Sequence, residues 1–230
     1  MALSCWQVAE AVLPVSPRIL LVGAPGTGKT FAGAKFGLHP NQRVYAVTLT
    51  EEMPSAELRG HFVPVGSEFK WMDGPALLAW RQGARLVLNE IDRASGDILT
   101  FLMVILDDVE TAMITLPTGE TVRPVKDFSV VATMNGDVLT DLTPALRDRF
   151  PVTIDIDEVH PDALARLPKA LRSAAKSTTL TEPQRRLSVR VWLEFVRLQP
   201  QIGDELAMRA CFGKRADDAF NALKIASAKS

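Results

Sequence analysis

One segment constrains the fold of this chain more than any other: residues 23–30, Gly-Ala-Pro-Gly-Thr-Gly-Lys-Thr. It directly follows the apolar run Ile19–Val22, and Phe31–Phe36 can continue it as a helix. A strand, a glycine-rich turn spaced G-x-x-x-x-G-K-T and a helix together form a P-loop, whose backbone N–H groups and helix N-terminus bind phosphate. The segment therefore predicts an α/β fold that binds a nucleoside triphosphate. The alternative is a glycine-rich strand–helix turn without a ligand.

Each residue type in this loop has a chemical role. The glycines let the backbone turn so that its N–H groups line a concave anion site. Lys29 would neutralise the β- and γ-phosphates, and the Thr30 hydroxyl would ligate Mg²⁺. The expected cofactors are ATP and Mg²⁺, although these residues do not distinguish ATP from GTP. We expect the whole loop to contact the nucleotide: Gly23, Ala24, Pro25, Gly26, Thr27, Gly28, Lys29 and Thr30.

Composition narrows the class of protein. Hydrophobic residues make up 47% of the chain, which is enough for a folded core. The net charge of −1 argues against a general surface for nucleic acid, which would carry a basic excess. Cys5 and Cys211 have no metal-site or disulfide spacing and are expected to be reduced. No apolar run approaches the length of a membrane span, so the sequence predicts a cytoplasmic protein without membrane contact.

Apolar segments alternate with helix-like stretches through the first two thirds of the chain, the pattern of a parallel sheet between helices. After Asp157 only helix-like segments follow. We therefore predict two domains: 1–157, an αβα P-loop core with a five-stranded parallel sheet, and 158–230, a small α-helical lid. The five predicted strands are Arg18–Val22, Arg43–Leu49, Arg85–Asn89, Phe128–Thr133 and Val152–Ile156.

Two insertions interrupt this alternation, and both predict hairpins. The first covers Gly66–Gly74, ahead of a predicted helix. The second covers Met113–Arg123, where apolar Ile114 and Leu116 meet Val122 across a turn rich in Pro, Thr and Gly.

Polar residues follow the predicted strand Arg85–Asn89. Glu90 fits the role of general base for an attacking water. Asn89 stands where P-loop ATPases usually have a Mg²⁺-associated Asp; its amide can accept a hydrogen bond from a metal-bound water but brings no charge. Asp92 restores a carboxylate two positions beyond Glu90, although strand geometry would point it to the same face as Glu90 rather than Asn89. The alternative is that Glu90 and Asp92 are solvated residues at a strand end.

Asn135 ends the next core strand. Polar residues at the carboxyl ends of strands in an open α/β sheet face the ligand crevice, so Asn135 is expected to orient the hydrolytic water. The alternative is an ordinary turn, because Asn-Gly is also a turn sequence.

Three arginines are candidates for nucleotide contacts. Arg149, with Arg147 as the alternative, lies just before the last strand and could reach the nucleotide of a neighbouring subunit as an arginine finger. The other interpretation of Arg149 is a surface ion pair with Asp141 or Asp148. Arg190 begins an amphipathic helix of the lid and could couple lid position to the phosphates; otherwise it lies on a solvated helix face.

With these motifs in this order along the sequence, the chain resembles the AAA+ ATPases, and within them the MoxR-like group that includes the NorQ and CbbQ activators. The acidic motif of that group usually reads Asp-Glu-Ile-Asn-Arg-Ala, so the acid and the amide are exchanged here while Glu90 carries over. The resemblance rests on the P-loop and on four further segments: Asp73–Pro75, Asn89–Ala94, Ala132–Asn135 and Asp148–Phe150.

The resemblance implies a homo-oligomer, a hexameric ring with an arginine finger supplied in trans, and work on a partner protein that often carries a von Willebrand factor A domain. It also implies that the hairpins face the pore or the partner, so that Phe69, Trp71 and Met72 contact the client, with core packing as the alternative for Trp71. A remodelling ATPase is the leading hypothesis. The others are a switch that hydrolyses ATP poorly, because of Asn89, and a nucleic-acid-linked NTPase, which the near-neutral charge disfavours.

Overall fold

The computed structural model describes residues 3–136, 142–182 and 185–227. Within these ranges no helix is both long enough and apolar enough to cross a membrane. Up to residue 156 the described chain contains both helices and strands, in this order: α1 (Cys5–Val12), β1 (Arg18–Gly23), α2 (Lys29–Lys35), β2 (Val44–Thr48), α3 (Ser55–Arg59), β3 (Gly60–Val65), β4 (Glu68–Asp73), α4 (Pro75–Gln82), β5 (Arg85–Asn89), α5 (Gly96–Ile105), β6 (Ile114–Thr115), β7 (Thr121–Val122), β8 (Ser129–Asn135), α6 (Pro144–Asp148) and β9 (Val152–Ile156). The later described residues form only helices: α7 (Pro161–Ala165), α8 (Lys169–Thr179), α9 (Val189–Ile202), α10 (Asp204–Phe212) and α11 (Ala216–Ser227).

The main sheet has five strands in the order β2-β5-β8-β1-β9, and β5 pairs in parallel with both β2 and β8. Every residue of β5 is buried, as expected for a central strand covered on both faces. The predicted fold class, a five-stranded parallel sheet between helices with a helical C-terminal region, is confirmed. All five predicted strands exist, and the bounds of β5 and β9 match the prediction to the residue.

The chain forms two compact units. The sheet unit comprises residues 7–22 and 30–155, and its core joins the sheet to α4 and α5. The loop–helix unit comprises residues 1–6, 23–29 and 156–230, and Trp192, Phe195 and Phe212 form the aromatic centre of its core. The phosphate loop thus groups with the C-terminal helices, whereas the domain boundary between residues 157 and 158 stays a prediction.

Local sequence explains the ends of the helices in the sheet unit. Ser95 precedes α5, and its hydroxyl accepts a hydrogen bond from the N–H of Ile98 at 3.2 Å, which satisfies one free donor at the helix N-terminus. Four apolar residues of α5 are buried in the core. Gly83 ends α4 in the left-handed conformation.

The prediction placed the first hairpin too late in the chain. It is formed by β3 and β4, and Gly66 lies in its turn, so the hairpin begins at Gly60 rather than at Gly66. Strand β3 contains a glycine and Pro64, which both weaken a strand pattern and hid it from the sequence analysis. The second hairpin was predicted correctly, since Ile114 pairs with Val122.

The large apolar residues of the first hairpin differ in their solvent exposure. Trp71 packs partly against the core, and its indole N–H donates to Asp73 at 2.7 Å. Phe69 is 73% exposed and Met72 is 56% exposed. The core-packing alternative therefore describes Trp71, whereas Phe69 forms an exposed apolar tip beside the turn and Met72 is exposed near the base of the hairpin.

Candidate nucleotide-binding site

The phosphate loop of the loop–helix unit folds around its own lysine. The ammonium of Lys29 donates to the carbonyls of Gly23 at 2.7 Å and Ala24 at 2.8 Å, and Lys29 is only 5% exposed. The buried Thr27 hydroxyl donates to the carbonyl of Ala24 at 2.9 Å. A single positive charge is thus held against the concave loop, which is the arrangement that binds phosphate oxygens.

Two residues that the sequence analysis did not identify pack against this loop. A Cβ on Gly28, whose φ is +114°, would lie 2.8 Å from the Cβ of His160. The N–H of His160 also donates to the carbonyl of Thr27 at 2.8 Å. A Cβ on Gly26, whose φ is +82°, would lie 2.7 Å from the Cβ of Ser188. These loop positions therefore require glycine both for backbone conformation and for space.

His160 is itself fixed by its neighbours. Its Nδ1 accepts a hydrogen bond from the N–H of Asp162 at 3.1 Å, which caps α7. Its ring lies edge-on to Trp6, with ring centroids 4.6 Å apart, and the indole N–H of Trp6 donates to the carbonyl of Glu158 at 3.1 Å. No local motif marks His160 or Trp6, because His160 lies more than 130 positions after the loop residues that it contacts, and Trp6 lies 152 positions before Glu158.

Ser188 brings the start of α9 to the phosphate loop. Ser188 directly precedes α9, and Arg190 is the second residue of that helix, with an exposed side chain. The start of α9 therefore adjoins the phosphate loop at Gly26. A contact of Arg190 itself with nucleotide stays a prediction.

The sheet unit has a polar cluster of its own at the carboxyl ends of β5 and β8. The Thr30 hydroxyl donates to Oδ1 of Asn89 at 2.8 Å. The Thr133 hydroxyl donates to the same oxygen at 3.4 Å, and Asn89 is only 8% exposed. The structure thus brings together the two residues that the sequence analysis assigned to the metal. Hydroxyl and amide oxygens are hard, neutral donors of the kind that Mg²⁺ accepts beside nucleotide phosphates and water, so the set fits this ion.

Glu90 follows Asn89 in the left-handed conformation, with φ 58° and ψ 51°. This conformation costs a non-glycine residue about 1 kcal/mol or more and is concentrated at functional sites. The Glu90 carboxylate lies 3.3 Å from Nε of Arg93. The expectation for Asp92 was wrong in one respect. The strand ends at Asn89, and Asp92 lies in a 3₁₀ turn, so strand alternation does not decide its direction.

Asn135 is the last residue of β8 and is half-buried. Its N–H points to Oδ1 of Asp92 at 3.5 Å, a long hydrogen bond. At the carboxyl ends of β5 and β8, Asp92 thus lies beside Asn135, and the N–H of Glu90 points to the Thr133 hydroxyl at 3.4 Å.

The two candidate finger arginines differ in their surroundings. Arg147 lies in α6 and is exposed, whereas Arg149 directly follows α6 and is half-buried. Nη2 of Arg149 lies 3.7 Å from the carboxylate of Asp107, so among the described residues its ion-pair partner is Asp107 and not the suggested Asp148. One of those, Asp141, lies outside the described residues.

The comparison with known families decides the classification. The model of the AAA domain, dynein-related subfamily, matches residues 18–150, more than half of the chain. The chain belongs to the AAA family. The matched range of this AAA domain begins with β1 and ends two residues before β9, and it includes the phosphate loop, the polar cluster and both hairpins.

Relatives refine this assignment. Protein NorQ of Paracoccus denitrificans is 32% identical over 157 residues, which cover 67% of this chain and 57% of NorQ. An uncharacterized protein of Staphylococcus haemolyticus is 29% identical over 70% of this chain and 63% of its own length. The similarity to NorQ confirms the resemblance to MoxR-like AAA+ ATPases. The matched region spans only about three fifths of these relatives.

A solved structure supports the fold alone. The crystal structure of a proposed ATPase from Cytophaga hutchinsonii superimposes with a TM-score of 0.50 at 18% identity. The superposition covers 82% of this AAA domain chain and 55% of the other protein.

Proposed function

We propose that this AAA domain is a Mg²⁺-dependent ATPase that acts as a ring-forming remodelling motor on a partner protein. One observation carries the proposal: the glycine-rich phosphate loop ends in Thr30, and the Thr30 hydroxyl is already fixed on Asn89 at 2.8 Å. The membership in the AAA family and the similarity to NorQ support the same function.

Binding is proposed to use the loop and the start of α2. The backbone N–H groups of residues 23–30 and the Lys29 ammonium hold the phosphates. Thr30 and, through a water, Asn89 hold Mg²⁺. When bound, Mg²⁺ neutralises charge on the phosphate oxygens. Arg190 is proposed to add a contact from the lid.

Hydrolysis is proposed to use the polar cluster of the sheet unit. Glu90 accepts the proton of the attacking water, since a carboxylate at this strand end is a suitable general base. Asn135 orients that water by hydrogen bonding. Arg149 of a neighbouring subunit stabilises the charge that develops on the transferred phosphoryl group. In the isolated chain Arg149 lies beside Asp107 and would leave that carboxylate on assembly.

Steady-state hydrolysis tests the catalytic assignment. Glu90→Gln is expected to lower kcat by about 100-fold or more, because it removes the general base, and to leave ATP binding intact. Lys29→Ala is expected to lose ATP binding. Glu110→Gln, a matched change at an exposed position, should behave as wild type. Equal kcat for Glu90→Gln and Glu110→Gln would refute the role of Glu90.

A mixing experiment tests the finger in trans. Arg149→Ala lacks the finger but keeps its own general base, whereas Glu90→Gln keeps the finger. Each is expected to be inactive alone, and a mixture should recover hydrolysis at the interfaces where Glu90→Gln supplies Arg149 to its neighbour. An inactive mixture would argue for a finger in cis, and recovery with Arg147→Ala instead would assign that residue.

The apolar tip, Phe69, and the exposed Met72 near the base of the same hairpin are proposed to contact the client. With a purified von Willebrand factor A domain protein as the partner, Phe69→Ser should reduce partner-stimulated hydrolysis and leave basal hydrolysis unchanged. Val15→Ser is the control, because Val15 is equally apolar, 78% exposed and outside both hairpins. An equal loss in both variants would exclude a specific role of the tip.

A second candidate function is a nucleotide-gated switch with slow turnover. The observation that favours it is the neutral amide of Asn89, buried beside Thr30 where a carboxylate is usual. Asn89→Asp separates the two functions. A switch predicts a large gain in hydrolysis and in Mg²⁺ affinity, whereas a motor adapted to Asn89 predicts little change or a loss.

A further inference from the structure

Arg85, the first residue of β5, is buried in the sheet unit. It is 1% exposed and is among the largest fully buried side chains of the described residues. Burial lowers the pKa of Arg85 to about 10, which leaves the guanidinium charged at neutral pH. A buried charge is costly unless its hydrogen-bonding capacity is fully used. Its partners are therefore the informative feature.

All five N–H donors of Arg85 have an acceptor. Each of these acceptors is neutral, and no described carboxylate forms an ion pair with Arg85. Nε donates to Oγ of Ser129 at 3.3 Å. The other four donors reach backbone carbonyls: Nη1 those of Gly33 and Phe36, and Nη2 those of Leu13 and Gly37.

Three of these carbonyls belong to the end of the helix that follows the phosphate loop. Gly33 lies in α2, and Phe36 and Gly37 directly follow it. The last carbonyls of a helix have no partner within the helix, and they form its negative pole. A guanidinium placed there satisfies them and also interacts favourably with the helix dipole. Arg85 therefore caps α2 from a neighbouring strand.

The same strand holds α2 at its other end. Arg85 begins β5, and Asn89, which accepts the hydrogen bond from Thr30 in the first turn of α2, ends it. The two contacts are about 13 Å apart along the strand. The segment from Thr30 to Gly37 extends about 10 Å in a helix, which is similar to the distance between the two contacts on the strand. Strand β5 thus fixes α2 along its axis.

Close packing between these two contacts leaves α2 little freedom. A Cβ on Gly33 would lie 3.0 Å from Cγ1 of Val131 and 3.6 Å from Cγ1 of Val87. The helix backbone therefore lies directly on β5 and β8. A change at Arg85 cannot be absorbed by a gap beneath the helix and must move the helix or its end.

We propose that Arg85 is a positioning residue for the magnesium nucleotide: it fixes α2 so that the Thr30 hydroxyl stays against Asn89. The inference rests on the proposed function and adds a residue that touches neither nucleotide nor metal. Supports of metal ligands typically change metal affinity by about 10- to 100-fold when they are removed. We therefore expect the Mg²⁺ dependence of nucleotide binding to report on Arg85.

The test compares Arg85→Lys and Arg85→Met with Leu102→Ala. Lysine keeps the charge but has three donors for five acceptors, and methionine removes the charge. Leu102→Ala weakens the core of the sheet unit through α5 instead, away from α2. Binding of a fluorescent ATP analogue is measured with Mg²⁺ and with EDTA, at a temperature where every variant is folded by circular dichroism.

Arg85→Lys is expected to raise the Mg²⁺ concentration for half-maximal binding by about tenfold, and Arg85→Met by more. Binding in EDTA should change less, and Leu102→Ala should stay within about twofold of wild type in both conditions. A general loss of stability is not expected to change binding with Mg²⁺ more than binding in EDTA. An unchanged Mg²⁺ dependence in Arg85→Lys overturns the positioning role. Failure of wild type to bind ATP overturns the proposed function instead.

If neither Arg85 variant folds, Ser129→Ala provides the test. It removes one of the five acceptors and leaves the guanidinium in place. The Mg²⁺ concentration for half-maximal binding is then expected to rise about threefold, in line with one lost hydrogen bond. Wild-type Mg²⁺ dependence in Ser129→Ala would overturn the inference.

Discussion

Two arginines four positions apart hold two regions of the sheet unit by different means. Arg85 lies in the phosphate region, defined here as α2 with the strands β5 and β8 beneath it, and its acceptors are neutral and buried or partly buried. Arg81 lies in the hairpin region, defined as α4 with both hairpins. There Nε lies 2.6 Å from Asp73, and Nη1 and Nη2 bind Glu120 at 2.6 and 2.7 Å.

The difference follows from solvent exposure. Asp73 ends the first hairpin and Glu120 lies in the second, so Arg81 joins the two through carboxylates. Water and salt screen such pairs, and they contribute little to stability. The phosphate region is held by a buried cation on backbone carbonyls, where each lost bond leaves an unsatisfied group. We therefore expect the phosphate region to be rigid and the hairpin region to be adjustable.

The largest effect is expected from Arg85→Met. It leaves buried carbonyls at the end of α2 without a donor, and a loss of about 3–5 kcal/mol in the free energy of unfolding is expected. Urea unfolding followed by circular dichroism measures it, with Arg81→Met as the partner variant. The expected difference between the two regions is wrong if Arg81→Met lowers the free energy of unfolding as much as Arg85→Met does.

A matched pair of glycine changes should give the next effect. Gly37 and Gly66 have nearly the same backbone conformation, with φ of +63° and +64°. A Cβ on Gly37 would lie 2.4 Å from the backbone N of Pro14, whereas a Cβ on Gly66 meets nothing within 4 Å. In both Ala variants the left-handed conformation of the new alanine costs about 1 kcal/mol of stability.

Gly37→Ala should cost at least about 1–2 kcal/mol more than Gly66→Ala, because only Gly37 meets backbone that must move. Thermal unfolding of the two variants under identical conditions decides this. Equal losses would mean that α2 can shift away from Pro14, against the rigidity expected for the phosphate region.

Arg81→Met should have a smaller effect on stability, within about 1 kcal/mol at low ionic strength. The loss should shrink in 1 M NaCl, since salt screens exposed charges. Urea unfolding at both salt concentrations provides the measurement. A loss that is independent of salt would show that packing of the Arg81 stem, rather than its charge, joins the hairpins.

The smallest effect concerns pH. The hydrogen bond from Arg81 lowers the pKa of Glu120 below its ordinary value of 4.5. The contribution of this hydrogen bond to stability is therefore complete above about pH 4.5, and it is lost as the pH falls through the lowered pKa of the folded state. The difference in stability between wild type and Glu120→Gln should vanish in acid. A difference that grows below pH 4 would contradict this assignment.

The sequence analysis succeeded where a pattern is local. The strands of the main sheet are apolar runs between turn residues, and β5 was predicted to the residue. The first hairpin was misplaced because Gly60 and Pro64 break the strand pattern of β3, and only pairing with β4 stabilises it. The position of Asp92 was misjudged because the chain turns sharply after Asn89, and no residue type announces this turn.

The phosphate loop and the order of polar strand ends were determined by the sequence alone, because a glycine spacing and a strand end are encoded within a few residues. Only the tertiary structure decided that Asn89 receives Thr30, that His160 and Ser188 require glycine in the loop, and that Arg85 caps α2. The partners of Arg85 are mainly backbone carbonyls from distant segments. Every residue has a carbonyl, so such partners leave no signature in the sequence.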